Sequence, residues 1–272
     1  MEKFISRIRN LFVAPPTVSV LRLYGGIGMG GPFGKSLDDE SLAPLIERAF
    51  APRGLRAVAL AINSPGGSPA QSALIAARIR RAADEKKIPV VAFCEDVAAS
   101  GGYWLACAAD EIFADANSIV GSIGVVSAGF GLHDAIARLG VERRVYTAGT
   151  RKTMLDPFRP EDEGDVARLK HLQKGIHDNF IAHVRAARGA RLKGADADLF
   201  NGDIWLGAEA QGLGLIDGLG HLAPTMKARF GDKTRFVVTR PRKSLLQRLG
   251  APGAAEALGA VEERALRARY GL

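Results

Sequence analysis

Residues 57–69, AVALAINSPGGSP, decide the architecture of this chain. The run from Ala57 to Asn63 is apolar and partly β-branched, which is typical of a buried strand in a parallel sheet. A Ser-Pro-Gly-Gly turn ends the run, and Pro69 suits the first turn of a helix. The stretch therefore predicts a strand, a tight turn and a helix in direct succession.

The same alternation continues on both sides of this stretch. The helix that opens at Ser68 ends in lysines, and a second buried strand, PVVAFCED, starts at Pro89. A parallel sheet with crossover helices is the natural assembly of such a pattern, so we predict an α/β fold. Further strands are predicted at 17–25, 111–115, 118–127, 142–148 and 234–240, and further helices at 42–51, 132–139 and 161–187.

The composition is that of an ordinary globular protein. Of the 272 residues, 47% are hydrophobic and 24% are charged, which argues against disorder and allows a large core. Two cysteines, Cys94 and Cys107, cannot form a disulfide scaffold, and their apolar neighbours predict buried thiols. We expect neither a transmembrane run nor a secretory signal, because charges at Lys3, Arg7 and Arg9 interrupt the first apolar residues. These features predict a cytoplasmic protein.

The net charge of +8 is distributed unevenly along the chain. Beyond His221, eleven Lys and Arg stand against four Asp and Glu, so nearly all of the imbalance belongs to the last fifth. Residues 1–16 combine an apolar helical face with basic side chains, which fits contact with a membrane, contact between subunits or simple fraying. We divide the chain into a basic amphipathic segment at 1–16, a main domain at 17–240 and a basic tail at 241–272. The tail is poor in aromatic residues, and nothing favours nucleic acid as a partner.

Small residues and glycines follow directly on three of the predicted strands. The first set, with Gly66 and Gly67, exposes backbone N–H groups at a strand end, although a tight turn alone also explains it. In the second, Ser100 precedes Gly101 and a short apolar helix, so that it is either an accessible nucleophile or a helix N-cap. The third set is GSIGVV at 121–126.

A serine nucleophile needs a base, and no histidine is placed persuasively for that role. His171, His177 and His183 follow one another at six-residue steps in one predicted helix, so successive rings rotate by about 240° and share no face. Lysine is the remaining candidate base. The glycine-rich stretch 25–34 is not followed by a helix start and does not fit a dinucleotide-binding fingerprint.

Five segments resemble, in their order along the chain, the S49 peptidases, the family of signal peptide peptidase A. The resemblance covers roughly Val18 to Gly220 and implies the fold of the Clp protease and crotonase superfamily, a spiral of β-β-α units with a parallel sheet and flanking helices. It also implies a serine endopeptidase with Ser100 as nucleophile and Lys152 as general base. The segments are AINSPGGS (61–68), VAASGGYWLA (97–106), GSIGVV (121–126), TAGTRKTMLDPFRP (147–160) and GDIWLGAEAQGLGLIDGLG (202–220).

The same resemblance implies the other members of the site. Gly67 and Gly101, and after them Gly66, would donate backbone N–H groups to an oxyanion. Ser122 would orient the lysine amine, and a turn serine is the alternative. An exposed lysine is protonated at neutral pH, so the base would need apolar neighbours, such as those at 153–158, to desolvate it. No metal or cofactor is expected.

The resemblance also implies substrates and partners. The expected substrates are signal peptide remnants or other peptides rich in small residues, cleaved through an acyl-enzyme. Family members form ring or dome oligomers in which serine and lysine come from different protomers, so we expect a homo-oligomer. The basic segment at 1–16 stands where family members have a membrane anchor, and peripheral contact with anionic lipid on the inner face of the cell membrane is a further expectation.

Two other functions remain open at this point. A crotonase-type enzyme that handles acyl-CoA would share the sheet and the oxyanion glycines, and Glu95 and Asp96 support it weakly. A non-catalytic, membrane-associated scaffold would use only the basic segments. A Clp-type Ser-His-Asp protease is disfavoured, because the IGVVS stretch about 25 residues after Ser100 contains no histidine.

Overall fold

The computed structural model of the protein describes residues 15–28, 36–149, 151–240, 268 and 270. The predicted segment 1–16 and the tail 241–272 lie almost entirely outside the described residues. The strands are β1 (Thr17–Tyr24), β2 (Leu55–Ser64), β3 (Val90–Ala99), β4 (Glu111–Ala114), β5 (Ile119–Gly121), β6 (Ile204–Leu206), β7 (Gly218–Leu219) and β8 (Arg235–Thr239). The helices are α1 (Asp39–Ala49), α2 (Pro69–Lys86), α3 (Gly101–Ala106), α4 (His133–Arg138), α5 (Glu163–Arg188), α6 (Asp196–Leu199), α7 (Gly207–Gly212) and α8 (Leu222–Phe230), with a 3₁₀ turn at Gly189–Arg191.

The described strands form one sheet, which is parallel except where β5 meets β6. The strand order is β6-β5-β3-β2-β1-β8, and β4 and β7 extend from the first half of β3. In the register, Ala59 of β2 stands between Val20 of β1 and Val91 of β3. The predicted α/β class with a mostly parallel sheet is confirmed.

β2 is buried on both faces because helices cover both sides of the sheet. Every residue from Ala57 to Ser64 is buried. On one face, Leu60 joins the larger core, to which α1, α2, α3 and α5 also contribute. On the other face, Ala59 joins a smaller core with Met226 of α8. A strand in this position must be apolar throughout, as the quoted stretch is.

β3 changes its partner halfway along. Its first half pairs with β4 and its last residues, Val97–Ala99, pair with β5. Between the halves, Glu95 and Asp96 interrupt the register with β2, so that the strand is irregular at this point. As a result, β2, β3 and β5 end close together, and Ser100 is the first residue beyond that edge.

Two of the predicted strands differ from the structure. Residues 142–148 form no strand: all of them except Val145 are exposed, and their backbone pairs with no neighbouring strand. The predicted strand 118–127 is shortened to β5. The predicted helices at 132–139 and 161–187 are confirmed as α4 and α5, with ends that differ by one or two residues.

A buried ion pair fixes the C-terminal end of α5. The guanidinium group of Arg188 donates two hydrogen bonds, of 2.7 and 3.0 Å, to the carboxylate of Asp217, and a third, of 2.9 Å, to the carbonyl of Gly214. Asp217 also accepts the N–H of Ile112 at 2.7 Å. Burial opposes ionisation of this carboxyl, yet the hydrogen bonds from Arg188 hold the pKa of Asp217 below its usual value. The pair therefore joins α5 to the start of β4.

Replacing Arg188 with Met should lower the free energy of unfolding by about 3–5 kcal/mol, because a half-buried carboxylate loses its main partner. Lys174→Met on the same helix is the matched control: Lys174 and Asp178 form an exposed ion pair, so its loss should cost less than about 1 kcal/mol. Chemical denaturation of both variants measures the two losses. Equal losses would show that the buried pair does not hold α5 in place.

Candidate active site

Ser100 is a single-residue turn between β3 and α3. Its φ of +54° and ψ of −121° are strained for a residue with a Cβ, at a cost of about 1–3 kcal/mol. Its N–H donates to the carbonyl of Gly121 at 2.8 Å, and its carbonyl accepts the N–H of Trp104 at 3.0 Å. Ser100 occupies the N-cap position of α3, as the alternative interpretation predicted, but its side chain makes no capping hydrogen bond. The hydroxyl is left without a hydrogen-bond partner among the described residues.

The turn formed by Gly66 and Gly67 packs directly against Ser100. A Cβ added to Gly66 would lie 2.7 Å from the nitrogen of Gly101 and 2.8 Å from the Cβ of Ser100. Gly67 has a φ of +147°, and a Cβ there would lie 2.1 Å from the carbonyl oxygen of Ile27. Neither residue can carry a side chain unless the turn moves: the approach of Gly66 to Ser100 and that of Gly67 to Ile27 each require glycine.

The backbone N–H groups of Gly67 and Gly101, beside Ser100, have no acceptor within the described residues. The N–H of Gly66 is partly engaged, since it donates to the hydroxyl of Ser64 at 3.3 Å. Unpaired N–H groups on the two segments that flank a serine hydroxyl suit the stabilisation of an oxyanion. The structure brings the three predicted glycines together with Ser100.

The segment Gly121–Gly124, called the strap below, lies on the other side of Ser100. Its first residue accepts the N–H of Ser100, as described above. Ser122 has a φ of +51°, which is unusual for a residue other than glycine, and its side chain is half-buried. The predicted lysine-orienting serine is thus next in sequence to the residue that is bonded to Ser100.

Two residues that support the strap were not singled out from the sequence. The carbonyl of Asp203 accepts the N–H of Ser122 at 2.7 Å. The indole of Trp205 packs so closely on Gly121 that a Cβ there would lie 2.5 Å from the ring. Both belong to the GDIWLGAEAQ segment, whose resemblance to the family was the available signal. β6 therefore sets the conformation of the strap.

Lys152 lies on a long arm, residues 125–162, between the strap and α5. Its side chain is exposed, and its backbone N–H donates to the carbonyl of Gly149 at 3.3 Å. Within the described part of the chain, no hydrogen bond joins Lys152 to Ser100 or Ser122. The structure thus brings together the predicted serines and glycines, but no hydrogen bond among the described residues joins the lysine to them.

The arm has local structure of its own. The carboxylate of Asp156 accepts a hydrogen bond from Arg143 at 3.0 Å, and the Arg143 guanidinium lies 4.8 Å from the ring centroid of Phe158. The arm nevertheless presents large apolar side chains to solvent: Phe130 is 84% exposed and Tyr146 is 90% exposed. Large apolar side chains exposed to this extent are typical of a surface that contacts another molecule.

The carboxylates that favoured a crotonase-type enzyme are engaged elsewhere. Glu95 accepts the hydroxyl hydrogen of Tyr24 at 2.7 Å, and burial together with this bond raises the pKa of Tyr24 to about 12. Asp96 accepts a hydrogen bond from Asn63 at 2.7 Å. Both carboxylates precede Ser100 by four or more residues along β3, and the contacts that the structure gives them are to Tyr24 and Asn63.

The two thiols are buried, as predicted. Burial raises the pKa of Cys94 and that of Cys107 to about 12, so neither is a thiolate at neutral pH. Across the described residues, no group of three His, Cys, Asp or Glu is placed to bind a metal ion. Nor does that part of the chain contain a helix that is long and apolar enough to cross a membrane.

One residue of the predicted tail reaches the edge of the site. The hydroxyl of Tyr270 donates to the carbonyl of Pro65 at 3.3 Å. Because Pro65 directly precedes the two glycines of the turn, this tyrosine lies beside the segment that supplies Gly67.

Known proteins resemble this chain in sequence. The model of peptidase family S49 matches residues 82–229, more than half of the chain. A protein of Brucella melitensis named Na(+)/H(+) antiporter NhaA is 47% identical over 273 residues, which is 94% of this chain but only 37% of that protein. The putative protease slr0021 of Synechocystis sp. is 30% identical over 71% of each chain. The putative signal peptide peptidase SppA of Enterococcus faecium is 31% identical over 62% of this chain and 48% of its own.

Solved structures resemble it in fold. A lysine-to-alanine variant of the 1510-N membrane-bound stomatin-specific protease, in complex with a substrate peptide, superposes with a TM-score of 0.53 over 92% of this chain and 99% of its own. A serine-to-alanine variant of the same protease gives a TM-score of 0.52 over 85% and 100%. Both are 14% identical to this chain, so they support the Clp protease and crotonase type of fold alone. The sequence match across more than half of the chain goes further, and it shows that the protein belongs to peptidase family S49.

Proposed function

We propose that this protein is a serine endopeptidase in which Ser100 is the nucleophile and Lys152 the general base. The observation that carries the proposal is the strained turn at Ser100, packed against two glycines and flanked by two unpaired N–H groups. Strain of this kind persists only where the surrounding structure enforces it, and it concentrates at functional sites. An accessible hydroxyl beside N–H donors is the arrangement that acyl transfer needs.

The reaction follows from these groups. The neutral amine of Lys152 takes the hydroxyl proton of Ser100 as Oγ attacks the carbonyl carbon of the scissile peptide bond. The carbonyl oxygen becomes an oxyanion, which the N–H groups of Gly67 and Gly101 stabilise. The C–N bond then breaks, the lysine returns the proton to the leaving amine, and Ser100 is acylated. Water, deprotonated by the same amine, attacks the ester carbonyl; the bond from that carbon to Oγ breaks, and the lysine returns the proton to Oγ, which releases the acid and restores the free serine.

We propose that the lysine of each site comes from a neighbouring copy of the chain. Within one copy, Lys152 is exposed and not bonded to Ser100, while the arm around it presents Phe130 and Tyr146 to solvent. Docking of this arm on a second protomer would bury those rings and desolvate the amine, which disfavours its charged form. The proposed assembly is a homo-oligomer in which one protomer supplies the serine and its neighbour the base, oriented by Ser122.

The proposed substrates are signal peptide remnants or other peptides rich in small residues, and the proposed catalytic domain is 17–240. The name of the Enterococcus faecium relative supports this substrate class. For the basic segments at 1–16 and 241–272, we propose peripheral binding to anionic lipid on the cytoplasmic face of the cell membrane. Their charge supports this, since each Lys or Arg near such a surface contributes about 1 kcal/mol.

Ser100→Ala and Lys152→Ala should each abolish cleavage of casein or of a signal-peptide-like peptide, because one lacks the nucleophile and the other the base. Mixed in equal amounts under conditions of subunit exchange, the two inactive variants should regain about a quarter of the wild-type activity. A complete site then forms wherever a Lys152→Ala protomer supplies the serine and a Ser100→Ala neighbour the lysine.

The control is Lys170→Ala, which removes an exposed lysine on α5 and should keep full activity. Light scattering checks that every variant has the same assembly size. Persistent cleavage by either single variant would contradict the Ser/Lys dyad. Inactive single variants that do not complement each other would contradict only the division of the site between protomers.

Gly67→Ala should lower kcat by about a hundredfold or more, because its Cβ would collide with the carbonyl of Ile27 and displace an oxyanion donor. Gly54→Ala is the matched control: Gly54 also has a positive φ, of +72°, but a Cβ there meets no atom within 4 Å. Peptide hydrolysis and thermal unfolding of both variants separate the clash from general backbone strain. The donor role of Gly67 is refuted when both variants keep wild-type kcat.

Flotation with liposomes checks the membrane proposal. The full-length protein should float with vesicles that contain anionic phosphatidylglycerol and stay behind with neutral phosphatidylcholine vesicles, because the attraction is electrostatic. Raising the salt concentration should weaken the binding. Equal flotation with both kinds of vesicle, or with neither, would contradict the proposal.

A further inference from the structure

Two histidines of α5, which the proposed reaction does not use, contact the two segments that build the site. Nε2 of His177 lies 3.0 Å from the carbonyl oxygen of Ile123 in the strap. Nε2 of His183 lies 3.0 Å from the carbonyl oxygen of Trp104 in α3. Their six-residue spacing separates the rings by about 120° around the helix axis, so one broad face of α5 reaches both segments.

Neither carbonyl has another hydrogen-bond partner among the described residues. The N–H groups that follow α3 donate to the carbonyls of Tyr103, Leu105 and Ala106, and none of them donates to the carbonyl of Trp104. In the strap, the N–H of Gly124 donates to the carbonyl of Ser122 and bypasses Ile123. Trp104 and Ile123 are both buried, where an unpaired carbonyl is unfavourable. The two histidines therefore supply the hydrogen bonds that the carbonyls of Trp104 and Ile123 would otherwise lack.

The two contacts determine which ring nitrogen of each histidine carries a hydrogen. A carbonyl oxygen only accepts hydrogen bonds, so Nε2 of each histidine carries the hydrogen and donates it. Desolvation lowers the pKa of His183, which keeps that ring neutral at neutral pH. Its ring also stacks on the indole of Trp104, with centroids 4.7 Å apart, and Phe180 stacks on the same indole at 4.9 Å. Trp104 is thus held by both its carbonyl and its side chain.

We propose that His177 and His183 are positioning residues, through which α5 sets the separation between Ser100 and Ser122; the inference rests on the function proposed above. His183 holds Trp104, whose N–H is bonded to the carbonyl of Ser100. His177 holds Ile123, the residue after Ser122. The hydrogen bond from Ser100 to the strap joins the two segments directly, and α5 braces them from a third side.

The effect should fall on the chemical step. A lysine amine that is oriented by Ser122 must come within hydrogen-bond distance of the Ser100 hydroxyl to take its proton. A displacement of about 1 Å between reacting groups costs on the order of a hundredfold in rate. Neither histidine is proposed to touch the peptide, so kcat should change and KM should not.

His177→Gln and His177→Asn form a matched pair. The glutamine amide nitrogen can occupy the place of Nε2, whereas the asparagine nitrogen falls one bond short, and the two side chains are equally polar. His177→Asn should lower kcat by about tenfold or more with an unchanged KM, and His177→Gln should keep most of the activity. At His183 the same order is expected, with kcat of His183→Gln above that of His183→Asn, because both variants lose the stacked ring and differ only in the reach of the amide nitrogen. Fluorogenic peptide kinetics and thermal unfolding midpoints are measured for all four variants.

A purely structural role predicts a different result. In that case the Gln and Asn variants at one position would have equal kcat, or kcat would follow the unfolding midpoint, and either result overturns the proposal. A double-mutant cycle adds a second criterion: in a Ser122→Ala background with residual activity, His177→Asn should cost far less than in the wild type. Equal cost in both backgrounds overturns the coupling of His177 to Ser122.

Wild type and Ser100→Ala are run in the same assay to separate the two proposals. Cleavage by the wild type and none by Ser100→Ala upholds the proposed function, whatever the histidine variants do. Equal cleavage by both overturns the proposed function, and the positioning role falls with it.

Discussion

The close approach of two backbone turns at the end of the central strands is the constraint on which the site depends. A Cβ on Gly66 would collide with the backbone nitrogen of Gly101, and a Cβ on Gly101 would collide with the hydroxyl of Ser72. Because side chains are excluded there, the groups that line the space beside Ser100 are backbone N–H groups. This edge of the sheet thereby gains the ability to stabilise negative charge. The strain at Ser100 is tolerated because the buried strands on both sides fix where the two turns begin.

The sequence was sufficient to predict this part of the fold because its determinants are local. An apolar run followed by Ser-Pro-Gly-Gly specifies a buried strand and a tight turn whatever surrounds them. The strand predicted at 142–148 was wrong for the complementary reason. Val145, Tyr146 and Thr147 have high β-propensity, but a strand also needs a free sheet edge beside it, and no local pattern shows whether one is present. In the structure these residues belong to the exposed arm.

The same distinction, between local patterns and features that depend on the surrounding structure, applies to the site. Ser100, the three glycines and Ser122 lie in short sequence motifs, so the family resemblance was sufficient to single them out. His177 and His183 are bonded to backbone carbonyls. Every residue has a backbone carbonyl, so no side-chain pattern in the sequence indicates these contacts. The six-residue spacing of the two histidines predicts that the rings share no face, and this prediction assumes a narrow helix face. α5 packs on both α3 and the strap, and the broad face that this requires accommodates two rings about 120° apart.

The position of Lys152 gives the proposed chemistry a physical reason to depend on assembly. A single protomer already holds the hydroxyl, the unpaired N–H groups and the strap, because all of them are fixed by the sheet and α5. It does not hold the base beside the serine, because Lys152 is exposed and makes no hydrogen bond to Ser100. Docking of the arm on a second copy would exclude water from the amine and complete the site in the same step. On the proposed mechanism, the strained serine of an isolated chain is therefore preorganised but not activated, and peptide hydrolysis is confined to the oligomer.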